Sequence, residues 1–161
     1  MTKSYISLGL MSGTSGDGVD ASLIKSTGSL IENNSYEVIL NKYFEYDQVI
    51  FNKIYVLRNK VNTIKDLKTH SNEIKEVERL ITIFHAKVAD TFSKKYKIDL
   101  IGFHGHTIFH NPNKKITKQI GNAKLLSQLT KKKVIYNFRQ NDIDNGGQGA
   151  PLTPIFHNVL A

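Results

Sequence analysis

Hydrophobic and polar positions along the chain change period repeatedly, and each change marks an element. Tyr5-Ile6-Ser7-Leu8-Gly9-Leu10 is an apolar run ending in a Gly/Ser cluster, the pattern of a central strand feeding a loop. Val19 to Lys25 predicts a second strand, closed by Ser26-Thr27-Gly28, and Tyr36 to Tyr46, β-branched and aromatic, predicts a third. Their short connections imply an antiparallel meander. From Asp47 the spacing turns helical, with Val49, Ile50, Ile54 and Leu57 in phase. A second helical pattern runs from about Ile64 to Tyr96 through Leu67, Ile74, Val77, Leu80, Ile81, Phe84, Val88 and Phe92. Asp99 to His104 returns to a strand, and Ile108–Asn111 with Lys115–Gln119 predicts a hairpin around Asn111-Pro112-Asn113. Asn122 can cap a helix through Thr130, Val134 to Asn137 is a fifth main strand, and a Gly-rich loop leads to a final helix opening at Pro151.

The resulting order is β-β-β-α-β-α-β-α: an α/β fold with a mixed five-stranded sheet, three antiparallel strands followed by two parallel ones reached through helical crossovers, and flanking helices. This order resembles the ribonuclease H-like repeating unit of the actin, sugar kinase and Hsp70 ATPase superfamily, whose members fold two such units around a nucleotide cleft. A chain of 161 residues without internal repeat corresponds to one unit, expected to bury roughly 70% of its unfolded surface.

Composition narrows the classes. A hydrophobic fraction of 40% with 8 Phe and 7 Tyr excludes a disordered chain, and the lack of Cys excludes thiol catalysis, disulfides and zinc ribbons. No stretch reaches the roughly 20 apolar residues of a membrane helix and no signal peptide is evident, so a cytoplasmic protein without membrane partners is expected. The net charge of +8 raises nucleic acid as a partner. Yet only three of the 22 basic residues are Arg, and the Lys runs at 94–95, 114–115 and 131–133 fall at element ends, where a solvated surface is the simpler reading.

Chemistry concentrates in three segments. In Gly9-Leu10-Met11-Ser12-Gly13-Thr14-Ser15-Gly16-Asp17-Gly18-Val19-Asp20, a Gly-rich turn can aim backbone N–H groups and the Thr14 and Ser15 hydroxyls at phosphate oxygens, and Asp17 and Asp20 can hold Mg²⁺. The segment is neither a Walker A loop nor Gly-x-Gly-x-x-Gly, and its plain alternative is a solvent-facing hairpin turn. In Gly102-Phe103-His104-Gly105-His106-Thr107-Ile108-Phe109-His110, residues two apart on a strand share a face. His104 and His106, with His110, could then converge on a metal as in a metallohydrolase, or line a polar cleft at the strand's carboxyl end. In the segment from Asn137 to Leu152, Arg139 and Asp142 offer a cation and a carboxylate between a strand and a helix, for a ligand or for an internal salt bridge.

Four ordered strings, Gly-Leu-Met-Ser-Gly-Thr-Ser-x-Asp-Gly-Val-Asp, His-Gly-x-Thr-x-x-His-x-Pro, Gln-Ile-Gly-Asn and Phe-Arg-x-x-Asp-x-x-x-Gly-Gly-Gln-Gly-Ala-Pro-Leu, resemble the anhydro-N-acetylmuramic acid kinase family from Leu8 to His157. The resemblance implies ATP- and Mg²⁺-dependent opening of the 1,6-anhydro ring with phosphorylation to N-acetylmuramate 6-phosphate in cell-wall recycling. It places ATP phosphates on Gly13, Thr14, Ser15, Gly16, Asp17, Gly18, Val19 and Asp20, with Asp17 and Asp20 near Mg²⁺. The sugar side of the cleft is assigned to His104, Arg139, Asp142 and Gln148, Asp142 being the one candidate catalytic group. The chain departs from the family at Gly16, usually apolar, at His106, usually Gln, and at Asn137, usually Asp. The Asp-x-Gly-Pro-Gly-Asn segment that carries the family's general base does not occur. The expectation is therefore an N-terminal subdomain over residues 1–161, inactive alone, whose second half is missing or separately encoded. The alternative is a remnant that binds nucleotide weakly without catalysis.

Overall fold

The computed structural model describes residues 3–29 and 36–153 of the chain. The meander forms as expected: β1 (Tyr5–Ser12) pairs antiparallel with β2 (Gly18–Ser26), which pairs antiparallel with β3 (Tyr36–Glu45). Leu8 and Leu10 of β1 and Val19, Ala21 and Leu23 of β2 are buried at period two, so one face of the meander closes the core.

Asp47 caps α1 (Gln48–Lys60) by accepting from the Ile50 amide, and Ile54 and Leu57 are its core residues. The long helical pattern that follows is split. A Thr63–Asp66 capping box starts α2 (Ile64–Thr69), His70 leaves helical geometry at φ −96° and ψ 21°, and α3 (Ser71–Ser93) carries Ile74, Val77, Ile81, Val88 and Phe92 into the core.

β4 (Leu100–Asn111) is one strand of 12 residues, pairing parallel with β1. Its other edge is shared: β6 (Lys133–Tyr136) lies parallel to Leu100–Phe103, and β5 (Ile116–Ile120) lies antiparallel to His106–Asn111. The sheet is accordingly six-stranded, not five-stranded, because the expected hairpin, turned by Pro112–Lys114, is a continuation of the sheet. Between β5 and β6, α4 (Ala123–Thr130) is capped by Asn122 as its sequence predicts.

Two differences follow β6. Asn137 takes a left-handed conformation, φ 66°, and is followed by a seven-residue helix, α5 (Phe138–Asp144), where a loop is expected. Only Ile143 of α5 is buried, too little apolar period to read from sequence. Pro151 to Thr153 are not helical, and the rest of the expected final helix lies outside the described residues. No helix among the described residues is long and apolar enough to cross a membrane.

Candidate functional site

β4 lies between β1 and β6 and parallel to both, so the carboxyl ends of β1 and β6 flank its middle, around Phe103 to His106, at the end of the parallel strands where ligands usually sit in such folds. The three chemical segments of the sequence all begin there.

After β1, residues 13–17 form a tight turn closed by the Gly16 amide donating to the Gly13 carbonyl at 3.0 Å. Gly16 has φ +70°, and a Cβ there would stand 2.9 Å from Ile54 Cγ2 and 3.3 Å from His106 Cε1. The Ser15 hydroxyl donates to Asp17 Oδ1 at 2.5 Å. That bond, with a smaller contribution from the Tyr43 hydroxyl, holds the exposed Asp17 carboxyl below its usual range. Tyr43 lies opposite Asp20 in the β2–β3 register, and desolvation, then its hydrogen bond to Asp17 and the charge of that carboxylate, pushes its phenol up to about 12.

The turn is shorter than the motif. Gly18, Val19 and Asp20 belong to β2, and the Val19 side chain is fully buried in the core, so it offers a ligand no side chain. Gly18 is packed so closely against Phe44 and Tyr43 that a Cβ would stand 2.4 Å from the Phe44 carbonyl.

Two contacts that sequence reasoning missed hold the turn. Arg58, in the last turn of α1, donates from Nη1 to the Thr14 carbonyl. The C=O and N–H of one peptide point in opposite directions, so fixing the Thr14 oxygen toward α1 turns the Ser15 N–H the other way. Beneath the turn, Ser12 Oγ and His106 Nδ1 are 3.2 Å apart in the core. Burial, then the Arg58 charge, lowers the His106 pKa to about 4, so its ring is neutral at pH 7. In sequence Arg58 reads as an ordinary basic residue at a helix end, and the Ser12 partnership spans 94 positions with no local signal.

The expectation that His104 and His106 share a face is corrected. Between Leu10 and Met11 of β1 the register slips, so that His104 is the extra residue of a bulge on β4, next to Gly105 at φ +70°. The alternation is thereby broken. His106 sits in the core against Ser12, His104 turns to Arg139, and His110 Nδ1 lies 3.1 Å from Thr117 Oγ1. Among the described residues no group of three metal-binding side chains converges, so the three histidines form no metal site.

Instead His104 belongs to a clamp around the segment after β6. Arg139 Nε donates to His104 Nε2 at 2.7 Å, which fixes the neutral tautomer whose Nδ1–H donates to the Gly105 carbonyl at 2.9 Å. Burial, followed by the Arg139 charge, lowers the His104 pKa further. Arg139 Nη1 also donates to the Gly149 carbonyl at 2.7 Å, while the Gly149 amide donates to Asp142 Oδ2 at 2.7 Å. Arg139 and Asp142 therefore form no salt bridge; they grip the backbone of Gly149 through its carbonyl and its amide. Gly147 is required beside them, since a Cβ would fall 2.1 Å from Asp142 Oδ2. Gln148 is exposed between these glycines. His104, Arg139 and Asp142 are thus brought into one unit on α5 and β4, with Gln148 in the turn that it shapes. The turn at 13–17 stands beside this unit at the end of the adjacent strand β1.

The profile of the family described as anhydro-N-acetylmuramic acid kinase matches residues 4–161. Among curated proteins, the anhydro-N-acetylmuramic acid kinase of Pelagibacter ubique is 59% identical over 162 residues, covering 99% of this chain and 42% of that protein. Those of Agrobacterium fabrum and Rhodopseudomonas palustris are 35% and 36% identical, each over 96% of this chain and 42% of their own length. The chain thus spans about two-fifths of the length of the curated relatives it matches.

Proposed function

The chain belongs to the anhydro-N-acetylmuramic acid kinase family, and from that membership we propose that residues 1–161 are the N-terminal subdomain of such a kinase, binding ATP phosphates on one side of a cleft and the anhydro sugar acid on the other. One observation carries this reading: the Ser15–Asp17 turn follows β1 and the His104–Arg139–Gly149 clamp joins β4 to the segment after β6, so the two flank β4 at the end where its parallel neighbours β1 and β6 stop.

The turn fits the phosphates of ATP. Gly13 leaves the backbone open to close approach, the Ser15 N–H is turned away from Arg58, and the Thr14 hydroxyl supplies a further donor, the Ser15 hydroxyl being spent on Asp17. Asp17, kept ionised by Ser15, and Asp20 would face Mg²⁺, which neutralises charge on the transferring phosphoryl group when bound. On the other side, neutral His104 and the Arg139 guanidinium would orient the sugar, with Asp142 and Gln148 shaping the wall. The base that activates the attacking water would come from the Asp-x-Gly-Pro-Gly-Asn segment of a second half, in the same or a separate polypeptide, and closure of the two halves in the cytoplasm would bring it to the anomeric carbon.

Calorimetric titration of the chain with MgATP is expected to show weak binding that Asp17→Ala reduces by at least about tenfold. Unchanged binding in the variant would remove the turn from the nucleotide site. With MgATP and 1,6-anhydro-N-acetylmuramic acid together, the chain alone is expected to give no phosphorylated sugar; turnover on the order of 1 s⁻¹, ordinary for a kinase, would overturn the need for a second half.

A further inference from the structure

Among the described residues Arg139 is a cation without a counter-ion. It is half-buried, and desolvation opposes its charge. Yet no ion pair among the described residues includes it. Its nearest polar partners are both neutral acceptors, His104 Nε2 and the Gly149 carbonyl. Asp142, one helical turn along α5, is the carboxylate placed to neutralise it, but Oδ2 is engaged by the Gly149 amide. The Nε and Nη1 bonds use two of the five guanidinium N–H groups, and Nη2 has no hydrogen-bond partner among the described residues. A guanidinium fixed at one end and free at the other is the arrangement that receives an oxyanion through charge-assisted, often bidentate, bonds.

Resting on the kinase reading above, we infer that Arg139 recognises the carboxylate of the sugar acid and sets the preference of the site for an acidic anhydro sugar over the same ring without its acid. Phosphate is the other oxyanion in the reaction, but the turn that suits it follows β1, whereas Arg139 follows β6, on the opposite side of β4. The clamp serves this role. Bonds to His104 and Gly149 hold the guanidinium plane before the ligand arrives, and His104, accepting from Arg139, adds no second positive charge.

The test compares two ligands on the 161-residue chain by calorimetry or ligand-observed NMR: 1,6-anhydro-N-acetylmuramic acid and 1,6-anhydro-N-acetylglucosamine, which lacks the carboxylate. Wild type is expected to bind the acid at least about tenfold more tightly, a difference typical of losing one charge-assisted contact. Arg139→Gln is expected to abolish that preference, Arg139→Lys to restore part of it, and MgATP binding to stay unchanged in both. The wild-type comparison needs no variant, and a ratio of two affinities is insensitive to a general loss of folded protein. Equal binding of the two sugars by wild type, a preference that survives Arg139→Gln, or a loss of MgATP binding instead would overturn the inference while leaving the kinase reading in place. Binding of MgATP with neither sugar bound would overturn the sugar side of that reading, and this inference with it.

Discussion

Gly16 and His106 occupy one small volume, and neither can change alone. Any side chain at position 16 meets a φ of +70° and contacts from both Ile54 and the His106 ring. Gly16→Leu is expected to lower stability by about 2–3 kcal/mol, combining the left-handed penalty with overpacking. Pairing it with His106→Gln, which removes the ring, should recover part of the loss; a thermal-unfolding double-mutant cycle measures the coupling, and strict additivity would show the two sites to be independent. Arg58→Ala should weaken MgATP binding several-fold by freeing the Thr14 peptide to rotate, with Arg58→Lys less affected; calorimetry on the two variants checks it. At this scale the sequence exposes the glycine turn and its two carboxylates, because Gly, Ser and Asp at close spacing are a local signal. It hides Arg58, Tyr43 and Ser12, whose roles arise only from contacts across 26 to 94 positions.

β4 is the element on which both sides of the site depend. A plain strand would place His104 and His106 together; the bulge at His104 and the left-handed Gly105 send one to the clamp and the other into the core. Gly105→Ala would bring a Cβ within 2.3 Å of the Ile120 carbonyl, against rigid backbone of β5. It is expected to be among the most destabilising single changes in the chain and to weaken sugar binding together with it. The packing of α3 on β4 adds a pH dependence. His85 of α3, in edge contact with Phe103, is fully buried and, like His106, has its pKa lowered to about 4 chiefly by desolvation; the charges facing it are those that His106 and His104 would carry. The unfolded chain takes up these protons near pH 6.5 and the folded chain only near pH 4. Stability is therefore full above about pH 6.5 and falls as pH drops toward 4, by up to ~3 kcal/mol per histidine. Urea midpoints at pH 7.5 and 4.5 should differ markedly, and His85→Leu should flatten the profile; identical midpoints would mean the rings are not held neutral. Strand and helix positions are legible from periods of 2 and 3.6, but a bulge of one residue inverts the face of everything beyond it without altering composition.

Across the whole molecule, the order of elements and the parallel pairing of β1, β4 and β6 follow from hydrophobic pattern and crossover geometry, and they determine that three distant segments meet at one edge. The strand at Lys115–Gln119 is legible as half of a hairpin, but not that the hairpin extends the main sheet, because its partner is the far end of the long β4; α5 escapes because it buries a single residue. The chain corresponds to 42% of the length of its relatives, and in the proposed function it carries two adjoining half-sites, one for phosphates and one for a sugar acid. The most direct test is an amide-resolved NMR titration of the 161-residue chain with MgATP and, separately, with 1,6-anhydro-N-acetylmuramic acid. Shifts are expected to centre on Thr14 to Gly18 for the nucleotide and on Gly105, Arg139 and Gly149 for the sugar. Shifts confined elsewhere, or both ligands perturbing the same residues, would contradict the proposed half-sites.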